Sequence, residues 1–463
     1  KAGKLDAAIE AFARSQKAKP NGPRVPWALL ATGWAHDTAG RPADAIKAWS
    51  ELIDSYSTSE AMAEALRARG DARQRTGDFK GGLLDARKAL ELPMEDQSKL
   101  ETRFLESLCL IGDGQSQVAV PLLEKLVLDG QNFAALDRVL SELAWAQKAI
   151  GKTAEAAATR KQLLERFPKS SRAAEAWFET GEAAWEEKSW DTAAAAYTAA
   201  IASPDSAAIA NQARHKFAWT SVMKKDYAAA AKGFQSQLTA APKGPLAADA
   251  RCMLGESLFK TGAYAPAEVA FREAIAEEKQ LSSDDLRALS LVRSSECAAQ
   301  QQRWDESLVA AEHLISRFPM STYAPLARYA SAWANQNLGK LDQSLVAYRA
   351  LADSGRTALA ARSRLMEGEI LFEQGKHREA VKTFFKVAYG FGERAAPAEY
   401  HPWQAQATFE SARCFEVLEK QDQARLLYQE LIDRYPQSQQ VSAAKKRLDI
   451  LGKPKTTSPP RAK

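Results

Sequence analysis

GEAAWEEKSWDTAAAAYTAAIASP, residues 181–204, sets the frame for the rest of the chain. With Lys188 as a corner, Gly181 stands seven positions before it, Ala193 five after and Tyr197 nine after, and Pro204 closes the unit. The same corner recurs at Gly3/Ala8, Gly40/Ala45, Gly77/Gly82, Gly114/Ala119, Gly151/Ala156, Lys225/Ala230 and Gly262/Ala267, always in steps of 37 residues. It continues through Gln302/Ser307, Gly339/Ser344, Gly375/Ala380 and Glu419/Ala424, with steps of 40, 37, 36 and 44. Self-similarity at such a period marks an array of stacked supersecondary units.

Two further columns keep this register. Seven residues before the corners stand Gly33, Gly70, Ser107, Ala144, Gly181, Ala218, Gly255, Ser295, Ala332, Gly368 and Ala412, all small. Small residues let two helices approach at the short end of the roughly 8–10 Å interaxial range. Nine residues after the corners come Phe12, Trp49, Tyr197, Phe234, Phe271, Tyr348, Phe384 and Tyr428, with Ala86, Leu123, Arg160 and Ala311 as departures. A ring there fills space between helices. Helical spacing without period-2 alternation predicts an all-α chain.

A second corner joins one unit to the next: LLERFPKSSRAAEAW at 163–177, LISRFPMSTYAPLAR at 314–328 and LIDRYPQSQQVSAAK at 431–445. Pro cannot continue the preceding helix, and the Ser two positions later reads as the N-cap of the next.

These residues resemble the tetratricopeptide repeat (TPR) family: Gly181, Trp190, Ala193, Tyr197 and Pro204 fall on its pattern, and Lys188 stands where the family has Gly. The resemblance runs from Gly3 to about Leu451. It implies a right-handed α-solenoid of about 11 antiparallel helix hairpins, preceded by a lone helix and followed by a capping helix. The period exceeds the family's usual 34. With the C-terminal RYPQSQQVSAAKKRLDILG, that longer period resembles bacterial cell-envelope members of the Tol-Pal coordinator and outer-membrane-assembly lipoprotein type. The expected organisation is a solenoid over 1–388, an aromatic Gly/Pro-rich insertion over 389–403, a last repeat and capping helix over 404–451, and a disordered basic tail over 452–463.

Composition narrows the function. Net charge is +5, yet the tail contributes Lys453, Lys455, Arg461 and Lys463 with no acid, so residues 1–451 carry +1. A reader of nucleic acid needs a basic surface against phosphates, so no nucleic-acid partner is expected. A hydrophobic fraction of 46% with mean hydropathy −0.38 fits an Ala-rich array, and no run reaches the roughly 18 apolar residues of a membrane span. There is no CxxC; Cys109, Cys297 and Cys414 replace Ala five residues before their corners and read as buried hydrophobes, while Cys252 lies on another face. GKT at 151–153 lacks the upstream Gly and strand of a phosphate loop, and the five His form no short ligand pair, so neither enzyme chemistry, metal nor cofactor is expected. The chain opens on KAGKLDAAIEAFARS, a second helix without its first and without Met, so the expectation is a fragment or processed product with any signal or lipid anchor upstream.

Six residues before the corners lies a column of Trp34, Asp71, Leu108, Trp145, Glu182, Trp219, Glu256, Glu296, Trp333, Glu369 and Arg413. The family resemblance implies that this position faces a concave peptide groove. There Trp34, Trp145, Trp219 and Trp333 would stack on partner groups, while Glu182, Glu256, Glu296 and Glu369 would select positive charge. The competing reading rotates the first helix, packs each Trp on the next repeat and leaves the acids solvated. The insertion YGFGERAAPAEYHPW at 389–403 gathers Tyr389, Phe391, Tyr400, His401 and Trp403, either as interface anchors or as a cover for the last repeats. The expected function is a non-enzymatic scaffold in the periplasm or cell envelope that binds protein partners, with envelope association through an upstream region. A carbohydrate or cell-wall-binding module using the Trp/Glu wall is the alternative, and a cytoplasmic location or a scaffold domain of a longer protein stays open.

Overall fold

The computed structural model describes residues 2–19, 22–204, 206–392 and 396–452. The expected basic tail lies outside them, apart from Gly452. Among the described residues there are 24 α-helices, two short 3-10 turns at Glu278–Gln280 and Ala398–Tyr400, and no strand. The fold is a helical repeat. The lone first helix is α1 (Ala2–Ala18) and the last is α24 (Val441–Leu451). The chain divides into two compact units, Lys1–Thr220 and Ser221–Lys463.

In the first unit the successive hairpins are α2 (Val25–Thr38)/α3 (Pro42–Ser55), α4 (Met62–Arg75)/α5 (Phe79–Leu90), α6 (Asp96–Gly112)/α7 (Ser116–Asp129), α8 (Leu136–Ala149)/α9 (Thr153–Arg166) and α10 (Ala173–Glu186)/α11 (Trp190–Ala202). The limit between the units falls inside α12 (Ala207–Met223), and α13 is Tyr227–Ala240. The second unit continues with α14 (Ala247–Lys260)/α15 (Tyr264–Ala276), α16 (Asp284–Gln300)/α17 (Trp304–Arg317), α18 (Ala324–Asn337)/α19 (Leu341–Asp353), α20 (Ala358–Glu373)/α21 (His377–Ala388) and α22 (His401–Val417)/α23 (Gln421–Arg434). With α12 and α13 the element order is that of eleven pairs.

The corner register has a backbone cause. Every corner from Gly40 to Glu419 sits in the left-handed region, with φ from +57° at Lys188 to +87° at Gly77. At Gly40 the amide donates to Asp37 and the next amide, of Arg41, reaches back to His36 at 2.9 Å; Ser189 does the same to Ala184 at 2.8 Å. This pair of bonds is a Schellman motif, which satisfies the last carbonyls of the helix and needs a left-handed residue at its turn. Gly3 is the exception, because it lies inside α1 and forms no corner.

The columns explain the packing. Trp49, Tyr197, Phe234, Phe271, Tyr348, Phe384 and Tyr428, all from the ring column, are completely buried. Each glycine opposite makes room for its ring. A Cβ on Gly33 would come within 2.1 Å of Trp49, on Gly181 within 2.5 Å of Tyr197, and on Gly368 within 2.4 Å of Phe384. Phe12 is only half-buried on α1.

The corners between units are built differently from the N-cap expectation. Ser170, Ser321 and Ser438 each lie two residues ahead of the helix-capping position, and each hydroxyl accepts from the amide two residues on, at 3.0, 3.2 and 3.3 Å. These are Ser turns rather than N-caps. The ring before Pro ends the helix, and the preceding arginine lies over it: Arg166 on Phe167, Arg317 on Phe318 and Arg434 on Tyr435, at 5.5, 5.7 and 5.2 Å. That cation–π contact accounts for the Arg-aromatic pair in all three corners.

Candidate functional site

The column six residues before each corner lies on the first helix of every hairpin, one residue past the small crossing position. Its members occupy different environments. Trp34 and Trp145 present indoles to water, 44% and 55% exposed. Trp219 and Trp333 are half-buried: the Trp219 Nε1 donates to His215 Nε2 at 3.0 Å, and Trp333 meets Trp304 edge-on with centroids 5.3 Å apart. Trp34 and Trp145 are thus the water-facing indoles of the column, and Trp219 and Trp333 the packed ones.

The acids are paired rather than solvated. Glu182 accepts from Tyr197 Oη and from Lys216 Nζ at 2.9 Å. Arg293 donates to Glu256 at 2.8 and 3.2 Å and to Glu296 at 2.6 Å, while its guanidinium stacks on Phe259. In both cases the cation stands nine residues before the next corner, so one ion pair links adjacent first helices. Glu369 breaks this pattern. Its counterpart nine residues before the next corner is Glu410, and Glu369 makes no ion pair among the described residues. Burial, then Glu410 and Glu373, push its carboxyl up to about 7 against the opposing Arg413.

Asp71 and Leu108 of the same column line a cleft of about 220 Å³ in the first unit, floored by Phe104 and Phe133 and flanked by Arg67 and Arg138. Sequence reasoning missed this cleft because the signal is a change of column type, from indole to Asp and Leu, over two repeats.

The aromatic insertion is folded onto the last repeats. Phe391 stacks on Tyr400 with centroids 5.0 Å apart; Tyr400 is buried and donates to the Arg356 carbonyl at 2.9 Å. Tyr389 donates to Glu430 at 2.7 Å and packs against Phe385. His401 and Trp403 belong to the first turn of α22, with Pro402 between them. His401 bonds the Ala396 carbonyl at 3.0 Å, and Trp403 lies under the Arg362 guanidinium. A cleft of about 610 Å³ remains beside them, bordered by Arg434, Tyr435 and Gln440.

All four cysteines are buried and free; burial pushes the Cys109, Cys252, Cys297 and Cys414 thiols up to about 12, which keeps them protonated packing groups. Among the described residues no helix is long and apolar enough to cross a membrane, and no cluster of side chains has metal-binding spacing.

Left-handed corners, rings seated on small crossing residues and a paired polar edge define a helical-hairpin repeat protein. The family profile described as tetratricopeptide repeat matches residues 30–96 and 141–207, a second profile of that description matches 406–438, and the profile described as outer membrane lipoprotein matches 207–367. The chain carries segments matching tetratricopeptide repeats and one resembling outer membrane lipoproteins. Comparison with curated proteins returns no significant match. Similar solved structures include a tetratricopeptide repeat protein of Parabacteroides merdae (14% identity over 60% of this chain and 99% of that one, TM-score 0.42). A second is the C-terminal part of a TPR repeat-containing protein of Cytophaga hutchinsonii (12%, 58% and 98%, 0.44), and a third is PilF of Pseudomonas aeruginosa (16%, 51% and 97%, 0.38).

Proposed function

We propose that this chain is a non-enzymatic protein-interaction scaffold of a bacterial cell-envelope complex, holding partner peptides or helices on the exposed edge of its first helices. The observation that carries the reading is the exposure of Trp34 and Trp145, each on the first helix of its hairpin. Exposed indoles on a rigid support are the kind of group in which interface energy concentrates. Resemblance of residues 207–367 to outer membrane lipoproteins supports the envelope location.

The test is mild cross-linking in cells, followed by capture from envelope and soluble fractions, with a Trp34→Ala/Trp145→Ala variant alongside. A small reproducible set of envelope proteins, lost in the variant at unchanged helicity, is expected. Capture confined to soluble proteins removes the envelope location. Capture dominated by cell-wall glycan replaces the scaffold reading with the carbohydrate one.

A further inference from the structure

The ring column has one charged occupant. Arg160 on α9 stands where Tyr197, Tyr348 and Tyr428 stand in other repeats, and it is only 7% exposed. Its Nε is buried without a hydrogen-bond partner, and the carboxylate that acts on the guanidinium is Glu179. Burial lowers its pKa, with Glu179 opposing. A largely buried guanidinium opposed by a single shared carboxylate costs stability unless something supplies further negative charge.

The polar tips of the neighbouring rings show where such a side chain ends. Tyr197 Oη donates to Glu182, Tyr348 Oη to Gln336 at 3.3 Å and Tyr428 Oη to Glu416, all on the outer edge of the first helix of the same hairpin. For Arg160 that edge belongs to α8 and carries exposed Trp145 and, three residues on, Lys148. Across from it on α10, Glu179 stands nine residues before the Lys188 corner, the place of Lys216 and Arg293 in later repeats, and it is bound by Lys148.

The comparison between repeats then identifies what is missing. In the Glu182–Lys216 and Glu256–Arg293 pairs, a carboxylate at the exposed edge meets a cation from the next helix. At the Gly151 corner that edge position is Trp145, the acid comes from the next helix, and two cations share it. Arg160, Lys148 and Glu179 leave one positive charge uncompensated beside an exposed indole.

We propose that this edge of α8 and α10 binds an acidic peptide segment of a partner, with a side-chain carboxylate on Arg160 and an adjacent apolar side chain on Trp145. The proposal rests on the scaffold reading and gives its partner a chemistry. A guanidinium binds a carboxylate through a charge-assisted fork, and the indole face supplies the apolar half of the contact. The arrangement selects negative charge, opposite to the preference expected from the acids of the column.

The experiment measures fluorescence anisotropy of a labelled, capped octapeptide of alternating Glu and Leu against the intact chain, with Gln-Leu and Lys-Leu peptides as controls. Wild type is expected to bind the Glu-Leu peptide at least about tenfold more tightly than the Gln-Leu peptide. Arg160→Met is expected to erase that preference while its thermal midpoint stays level or rises, since a largely buried, incompletely compensated charge is removed. Trp145→Ala is expected to weaken Glu-Leu and Gln-Leu binding alike.

Equal binding of the Glu-Leu and Gln-Leu peptides overturns the proposal. So does an Arg160→Met variant that keeps the preference, or displacement of the peptide by equimolar inorganic phosphate, which would mark a simple anion site. The envelope capture separates this result from the wider one: partners still captured by Arg160→Met protein overturn the role of Arg160 and leave the scaffold reading standing.

Discussion

Lys188, Lys225, Gln302 and Glu419 hold the left-handed backbone that glycine holds at the other corners, at φ of 57° to 59°. A side chain there costs about 1–2 kcal/mol in sterics, and glycine returns about 0.5–1 kcal/mol of unfolded-state entropy. Lys188→Gly is therefore expected to stabilise the first unit by a few tenths to about 1 kcal/mol, read as a higher thermal midpoint; a lower one would show that the Lys side chain contributes more than its backbone strain removes. Glycine at the crossing has the opposite logic. Gly368→Ala drives a methyl to within 2.4 Å of Phe384 and is expected to lose about 1–3 kcal/mol in denaturant unfolding.

Glu369 adds a pH dependence whose sign follows from its raised carboxyl, about 7 against an ordinary 4.5. Below pH 4.5 the folded and unfolded chains both hold the proton, and no penalty exists. Between those values the unfolded chain releases it while the folded chain retains it, so the penalty grows and is complete above 7. Glu369→Gln is expected to leave stability unchanged at pH 4 and raise it by about 1 kcal/mol at pH 8, after allowance for water at a partly exposed site. Equal gains at both values would remove the titration as the cause.

At the scale of elements, the α4/α5 hairpin shows what happens when the ring is absent. Ala86 replaces it, Gly70 and Gly82 draw the helices together, and Asp85 is buried between Arg69, at 2.7 and 2.9 Å, and Arg73, at 2.7 Å. Asp85→Ala strands two cations, one of them fully inside, and is expected to cost about 3–5 kcal/mol, visible as early loss of hydrogen-exchange protection in α4 and α5. This pair also marks the limit of what sequence alone revealed. Corners, small crossings and rings were legible because each imposes one residue type on one position through backbone or steric demand. Side-chain pairing across helices was not, since Lys216–Glu182 and Arg293–Glu256 depend on helix rotation, which residue spacing leaves free. The same freedom separated exposed Trp34 and Trp145 from Trp219, which bonds His215 one turn back on its own helix, and from Trp333, which meets Trp304 of the preceding hairpin. Pro402 was read as part of a loop, yet Pro is compatible with the first turn of a helix, and α22 begins at His401.

Within each unit, contacts run mostly between helices adjacent in sequence, so each hairpin is stabilised by its nearest neighbours. The last helix shows the consequence. Ala444, with Val441 and Leu448, packs against Tyr428 and Leu431 of α23, and Arg447 binds Glu416 of α22. A chain ending at Arg434 uncovers that apolar face and leaves Glu416 with Tyr428 but without Arg447. In a globular domain with one core, such a deletion would lower protection everywhere. Here hydrogen exchange is expected to accelerate in α22 and α23 while α2 to α9 keep their rates, because in a repeat array a hairpin's stability depends on its immediate neighbours. Uniform acceleration through the first unit would mean that the repeats unfold as one body, and the stability of each hairpin would then depend on the full array instead of its neighbours.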